Sequence, residues 1–184
     1  MAVLSRSAVR VGWILIGCVV ATGRAAHAQE RRHEYEVKAA YLLNFLNYVE
    51  WPAAAPASSR REIHVCMLGG DPFGDVLIPM IRARQVGGRK IETLSIDRPV
   101  ELDRCDVGFI AADANPAPEV WLEALEGRPV LTVGEQRDFA THGGMIAFIL
   151  KNQTVRFEVN LAAVRASRLQ LSSRLLRLAS DIHD

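Results

Sequence analysis

Two carboxylates, Asp71 and Asp75, lie four residues apart after a glycine pair and are the best candidates for acid–base chemistry in this sequence. General acid–base catalysis requires carboxyl groups whose pKa values are shifted in a cleft, and a sequence does not show such a shift. Asp71 precedes Pro72, and this pair is typical of the beginning of a helix. We therefore interpret Asp71 as a helix-capping residue and not as a catalytic one.

Other motifs in the sequence lack the spacing of a catalytic, metal or nucleotide site. Gly69 and Gly70 form a strand–glycine–helix junction, but their spacing matches no phosphate-binding loop, and Asp71 would repel a phosphate. There is no G-x-S-x-G nucleophile motif. The histidines beyond residue 28 lack metal-ligand spacing, so we interpret them as structural or solvent-facing: His33, His64, His142 and His183. We expect no enzyme activity, no cofactor and no bound metal ion.

The first 28 residues have the pattern of a secretory signal peptide. Arg6 and Arg10 provide a positive start, residues 11–20 are mostly apolar, and Ala26-His27-Ala28 is a small-residue cleavage site. We expect cleavage near Ala28, which leaves residues 29–184 as one domain in the periplasm. An alternative is a lipobox at residues 15–18, in which Cys18 would be lipidated and become the new N-terminus.

The charge of the expected mature chain excludes several classes of ligand. The full chain has 184 residues and a net charge of +1, and the first 28 residues contain three arginines and no acid, so their removal gives about −2. There is no polybasic run. We therefore expect neither nucleic-acid binding nor binding to a lipid surface.

Two cysteines remain after the leader is removed, Cys66 and Cys105. In an exported domain, two cysteines most often form a disulfide, and this is our expectation. The alternative is a pair of separate buried thiols, because cysteine packs well as a small apolar residue. A C-x-x-C redox pair is absent.

The hydrophobic pattern predicts strands that alternate with helices. This alternation indicates an α/β fold of three layers, with a mostly parallel central sheet, an antiparallel C-terminal hairpin and a long C-terminal helix. The predicted helices cover residues 34–48, 71–84, 117–125 and 162–182, and the predicted strands cover 63–68, 90–96, 106–112, 129–134, 145–150 and 155–161.

The predicted C-terminal helix combines an apolar stripe with flanking arginines. Most of the stripe is interpreted as core, but an apolar arc wider than one buried face requires can also contact a second protein. Arginine is favoured at such contacts, and we select Arg174 as a candidate partner-binding residue.

Six segments extend over nearly all of the expected mature chain in a characteristic order. They are AAYLLNF with EWP, VCMLG with DPFG, VLTVGE, FA with GGMI, VRFEVNL, and SSRLLRLA. In their order and spacing they resemble the YfiR family of exported bacterial proteins. The resemblance implies a non-enzymatic periplasmic α/β domain that binds and inhibits an inner-membrane diguanylate cyclase of the YfiN type. It also implies control of cyclic di-GMP and biofilm formation.

The resemblance implies further partners and positions. An OmpA-like outer-membrane lipoprotein of the YfiB type would sequester the repressor, and the repressor would tend to form a homodimer. Cys66 and Cys105 match one family disulfide, whereas a second family bridge has no counterpart because Ala147 occupies one of its positions. Family positions tied to repression, and hence to partner binding, are matched by Ile146, Glu158 and Val164.

Other interpretations remain open at this point. Ile146 and Val164 could equally be core residues. The main alternative function is a periplasmic sensor domain that binds a small molecule, because strand ends in α/β folds commonly form ligand clefts. An enzyme is a third hypothesis, and it would require a cleft that contains two titratable groups with shifted pKa values.

Overall fold

The computed structural model describes the backbone of residues 10–53, 55, 60–82 and 84–184, with side chains from residue 28 onward. The elements up to residue 104 are α1 (Arg10–Phe45), β1 (Val49–Glu50), β2 (Glu62–Leu68), α2 (Leu77–Ile81), β3 (Gln85–Val86), β4 (Arg89–Ile96) and a 3₁₀ helix (Pro99–Arg104). The later elements are β5 (Val107–Ile110), α3 (Pro118–Leu125), β6 (Leu131–Gly134), β7 (Ile146–Lys151), β8 (Thr154–Asn160), α4 (Leu161–Ala166), β9 (Gln170–Leu171), α5 (Ser173–Leu176) and β10 (Asp181–His183). The predicted leader lies almost entirely outside the described side chains, so its cleavage stays a prediction.

An eight-stranded sheet with the order β10-β8-β7-β6-β5-β2-β4-β3 forms the centre of the fold. Its central strands β4, β2, β5, β6 and β7 run parallel, as the alternation of strands and helices predicts. The predicted hairpin is confirmed, because β7 and β8 pair antiparallel with Phe148 opposite Phe157. Asn152 and Gln153 at its turn have φ values of 51° and 59°, the left-handed conformation that a tight hairpin requires.

Two hydrophobic clusters lie on opposite faces of this sheet, which confirms the three layers. On one face, Phe45 of α1 contacts Phe157 with ring centroids 5.0 Å apart, and Phe73 contacts Phe109 at 4.7 Å. On the other face, Trp121 of α3 is fully buried in a cluster with the 3₁₀ helix and the disulfide. Burial of these aromatic side chains, together with the aliphatic residues of both clusters, removes apolar area from water and stabilises the fold.

The predicted long helix at residues 162–182 is wrong. These residues form α4, β9, α5 and β10 instead. Arg168 has a φ of 58°, which ends the helical path, and the Ser172 hydroxyl accepts a hydrogen bond from the Leu175 N–H at 3.4 Å, where α5 begins. β9 pairs with β1 and β10 pairs with β8, so pairing to distant strands replaces the hydrogen bonds that a continuous helix would make.

The predicted helix at residues 71–84 is much shorter than expected. The Asp71 carboxylate accepts hydrogen bonds from the N–H groups of Phe73 and Gly74, at 2.9 and 3.3 Å, so it caps a local turn and not a helix. Gly74 then adopts a φ of 54°, which interrupts any helix at that point. Only α2 is helical in this segment among the described residues.

Candidate functional site

The cysteine pair forms a disulfide between the interior of β2 and the segment before β5. Cys66 of β2 and Cys105, which precedes β5, are bonded, with their Cα atoms 5.7 Å apart. This confirms the disulfide that the sequence predicts, and the alternative of separate thiols is wrong. Both cysteines are buried in the cluster that also contains Leu68 and Leu102, so the bond joins the sheet to the layer that contains the 3₁₀ helix.

A buried carboxylate at the amino-terminal edge of the sheet holds the segment next to the disulfide. Asp106 accepts a hydrogen bond from the backbone N–H of His64 at 2.9 Å, and its other oxygen lies 3.3 Å from Nη1 of Arg60. Burial raises the pKa of Asp106, and the hydrogen bond and the Arg60 charge partly oppose this effect. The Trp51 indole N–H donates to the Asp106 carbonyl at 3.2 Å. These contacts support the structure of this edge.

One group at the same edge has the composition of a metal site. The ligand atoms of Glu62, His64 and Glu92 lie within 4.8 Å of one another. The sequence analysis missed this group because Glu92 is far from His64 in the chain. The available signal was the pair Glu62 and His64, which point to the same face of a strand because they are two residues apart.

The carboxyl-terminal edge of the sheet is occupied by a second polar group, contributed by α1 and the residue after β6. Lys38 donates a hydrogen bond to one oxygen of Glu135 at 2.6 Å, and the Tyr35 hydroxyl donates to the other at 2.9 Å. Lys38 also pairs with Glu34. The Lys38 and Glu135 side chains are only 6 % and 9 % exposed. Burial, followed by the negative charge of Glu135, raises the pKa of Tyr35, so its phenol remains a donor.

The usual ligand crevice of this fold class is filled by backbone. The order of strands reverses between β2 and β5, and ligands commonly bind at such a point, outside the carboxyl ends of the strands. Here the Asn115 N–H donates to the Gly69 carbonyl at 2.9 Å across this point. A Cβ atom on Gly69 would lie 2.8 Å from the Asn115 backbone and from the Trp121 indole nitrogen. The glycine is therefore required for close contact between the two loops.

A cavity of about 540 Å³ lies elsewhere, between α3 and α4. Leu122 and Ala163 contribute to its mostly apolar wall, and His142, Asn160 and Glu119 bring polar groups to it. Its volume is in the range of small-molecule sites. Hydrogen bonding from Gln136 lowers the pKa of Glu119, so this carboxylate is ionised at neutral pH.

The four predicted partner-binding residues do not lie on one surface. Ile146 and Val164 are buried in the core cluster, which agrees with the core alternative for these two positions. Glu158 is partly exposed on β8, with His183 Nε2 at 3.4 Å from its carboxylate. Arg174 is exposed on α5. A contact role for the four residues stays a prediction, and Glu158 and Arg174 are the two that a partner can reach in this conformation.

The segment around these two residues exposes apolar side chains. Leu178 is 61 % exposed and Ile182 is 41 % exposed. Arg177, which directly precedes Leu178, is also exposed. We use the name C-terminal surface for Arg174, Arg177, Leu178 and Ile182. Glu158 projects from the other face of the β8–β10 pair, because it lies opposite Asp181 whereas Ile182 lies opposite Val159. Apolar residues with arginines between them are typical of protein contact sites.

Comparison with known proteins gives a family match over residues 35–180 to YfiR/HmsC-like proteins. A search of curated proteins gives no match. Among solved structures, the fold is similar to the ABC domain of Streptococcus pneumonia in complex with L-Trp (8 % identity, TM-score 0.45, 71 % of this chain and 57 % of that chain). It is also similar to a conserved domain protein of Vibrio cholerae (11 % identity, TM-score 0.45, 70 % of this chain and 56 % of that chain). The chain thus spans a little more than half the length of these structures.

Helices in the described part of the chain are too short or too polar to cross a bilayer. The matched region begins at Tyr35 of α1 and ends at Ser180, just before β10, so it includes the disulfide and both polar groups at the edges of the sheet. The disulfide agrees with an exported protein. The chain belongs to the YfiR/HmsC-like family, whose members are periplasmic regulators of cyclic di-GMP signalling.

Proposed function

We propose that this protein binds the periplasmic part of an inner-membrane diguanylate cyclase of the YfiN type and holds the cyclase inactive. Inhibition follows if the protein binds the inactive state of the cyclase more tightly than the active state. The level of cyclic di-GMP, and with it biofilm formation, then depends on how much of the protein is free to bind. An OmpA-like lipoprotein of the YfiB type would relieve the inhibition by sequestering the protein.

The family match over residues 35–180 is the observation that supports this proposal most strongly. The filled crevice at the carboxyl-terminal edge gives additional support, since this is where an α/β enzyme would usually hold its substrate. The C-terminal surface offers exposed apolar and arginine side chains for a protein contact. Export is part of the same proposal, with cleavage after Ala28 inside α1, which leaves Tyr35 and Lys38 in the mature helix.

The test combines deletion of the gene with a charge reversal at Glu158. Deletion should raise cyclic di-GMP and surface attachment, and reintroduced wild-type protein should lower them. We expect Glu158→Lys to weaken binding to the periplasmic part of the cyclase at least tenfold and to fail in complementation. The reason is that the lysine places a positive charge where the groups of the partner complement a carboxylate.

The matched control is Glu126→Lys, which makes the same charge change at an exposed carboxylate at the end of α3. We expect this variant to bind and complement normally, and both variants to have the thermal stability of the wild type. Unchanged cyclic di-GMP after deletion, in a strain that contains the cyclase, would refute the inhibitory function. Normal binding by Glu158→Lys would refute only the position of the contact.

A second candidate function is the binding of a small molecule in the cavity between α3 and α4, favoured by its volume and its mixed apolar and polar wall. A thermal-shift screen of amino acids and vitamins tests this function. A ligand that stabilises the wild-type protein but not a variant with Ala163→Trp in the cavity wall would support it. Failure of every compound to shift the melting temperature would leave the protein-binding function as the better explanation.

A further inference from the structure

The amino-terminal edge of the sheet brings together three groups that can all bind a metal ion. Glu62 and His64 lie on the same face of β2, and Glu92 lies beside His64 on the parallel neighbour β4. His64 Nε2 is 3.9 Å from a Glu62 oxygen and 4.0 Å from a Glu92 oxygen. The sheet therefore fixes the three side chains in one place although they come from separate parts of the chain.

The orientation of the His64 ring leaves one nitrogen free to act as a ligand. Nδ1 lies 2.8 Å from the Arg104 carbonyl oxygen. In the tautomer in which Nδ1 donates its hydrogen to this carbonyl, Nε2 carries the lone pair. Arg60 Nη1, which carries two hydrogens, donates one to the same carbonyl at 2.8 Å and lies 3.0 Å from Nδ1. A histidine that donates its second N–H to a carbonyl is the usual arrangement behind a metal ligand.

The distances within the group favour a cation between its members. In that tautomer the Nε2 lone pair and the two carboxylates are all acceptors, and their separations of 3.9 and 4.0 Å are too long for hydrogen bonds. Bond lengths of about 2.0–2.2 Å place the ligands of a tetrahedral zinc ion about 3.3–3.6 Å apart. Glu62 and Glu92 have side chains that are 43 % and 50 % exposed, so small rotations bring their oxygens to that distance.

We propose that Glu62, His64 and Glu92 bind a zinc ion. One imidazole and two carboxylates are a ligand set that zinc accepts, and the two negative charges balance those of the ion. The fourth position remains open to water or to a group from another molecule. The ion would tie β2 to β4 next to the segment that contains Cys105. This proposal does not depend on the identity of the cyclase partner.

The test is a zinc titration of tag-free, chelator-treated mature protein, monitored by calorimetry and by the melting temperature. We expect one ion per chain with a dissociation constant in the micromolar range or below, and a higher melting temperature in the presence of zinc. Glu92→Gln and Glu62→Gln should each weaken binding at least tenfold. These variants keep the size of the side chain at half-exposed positions, so we expect them to fold.

Two controls locate the ion. Glu126→Gln, at an exposed carboxylate outside the group, should bind zinc like the wild type, and so should His183→Gln, which removes the histidine beside Glu158. Magnesium at millimolar concentration should not compete, because magnesium prefers six oxygen ligands. An absence of saturable zinc binding would overturn the proposal. Equal binding by Glu92→Gln, or loss of binding in His183→Gln, would also overturn it, because the ion would then lie elsewhere.

Discussion

The two ends of the central sheet use polar side chains differently. At the carboxyl-terminal edge, Tyr35 and Lys38 hydrogen-bond to both oxygens of Glu135, and the group is almost closed to solvent. At the amino-terminal edge, His64 directs Nε2 towards two half-exposed carboxylates without a hydrogen bond to either. In α/β proteins, ligands usually bind at the carboxyl-terminal edge. Here the polar groups at that edge are paired with one another, and the amino-terminal edge offers the incompletely paired groups.

The largest loss of stability should come from removing the disulfide, which ends at Cys105 at the amino-terminal edge of the sheet. The disulfide closes a loop with a sequence separation of 39 residues, and the chain-entropy estimate for such a loop is about 4 kcal/mol. We therefore expect the Cys66→Ser/Cys105→Ser variant to lose about that much free energy of unfolding in urea. A reducing agent should destabilise the wild type similarly and leave the double variant unchanged. If the double variant unfolded at the same urea concentration as the wild type, the disulfide would not contribute to the stability of the domain.

The second-largest loss of stability should come from removing the charge of Lys38 at the carboxyl-terminal edge. Lys38→Met leaves Glu135 buried beside Tyr35 without its cation, and the loss of one partner from a buried pair is expected to cost about 3 kcal/mol. Lys151→Met makes the same change at an exposed position and should alter the free energy of unfolding by less than about 0.5 kcal/mol. The variant Lys38→Met/Glu135→Leu should regain part of the loss. If both lysine variants were equally stable, the polar group would not hold this edge closed.

The smallest effect concerns the pH dependence at Asp106. Burial raises the pKa of its carboxyl above the ordinary value of 3.8, so the folded state holds the proton more tightly than the unfolded state. The stability conferred by the protonated form is present below pH 3.8 and is lost as the pH rises through the folded value. We expect wild-type stability, relative to Asp106→Asn, to fall as the pH rises from about 3.5 in urea unfolding. A difference that increases with pH over that range would contradict this assignment.

The sequence predicts much of the fold because the central strands have strong local signals. Apolar, β-rich runs such as residues 63–68 form buried strands, and the alternation of residues 155–160 places Val155 and Phe157 inside and Arg156 outside. The prediction of a C-terminal helix fails because the spacing of leucines does not show that distant strands compete for the backbone hydrogen bonds of this segment. β1 and β8 provide backbone partners for residues 170–171 and 181–183, and a pattern along one segment does not contain that information.

The polar groups at the edges of the sheet were less predictable than the strands. Tyr35 and Glu135 are 100 residues apart, and only the fold brings them together. One signal was present, since Lys38 interrupts the apolar face formed by Tyr35 and Leu42, and a lysine on a buried face requires a partner. The disulfide was predictable because an exported chain with two cysteines has only one intramolecular pairing available.

The small sheet of β1 and β9 links the end of α1 to the beginning of the C-terminal segment. Val49 lies opposite Leu171, and the Ser172 N–H donates to the Tyr48 carbonyl at 2.9 Å. A force that lifts residues 170–183 from the domain must therefore also separate β1 from β9 and expose the backbone just after α1. Amide hydrogens of residues 49–50 and 170–172 should then exchange with solvent in a single opening event. This pair of strands therefore couples the opening of the C-terminal segment to that of the backbone after α1.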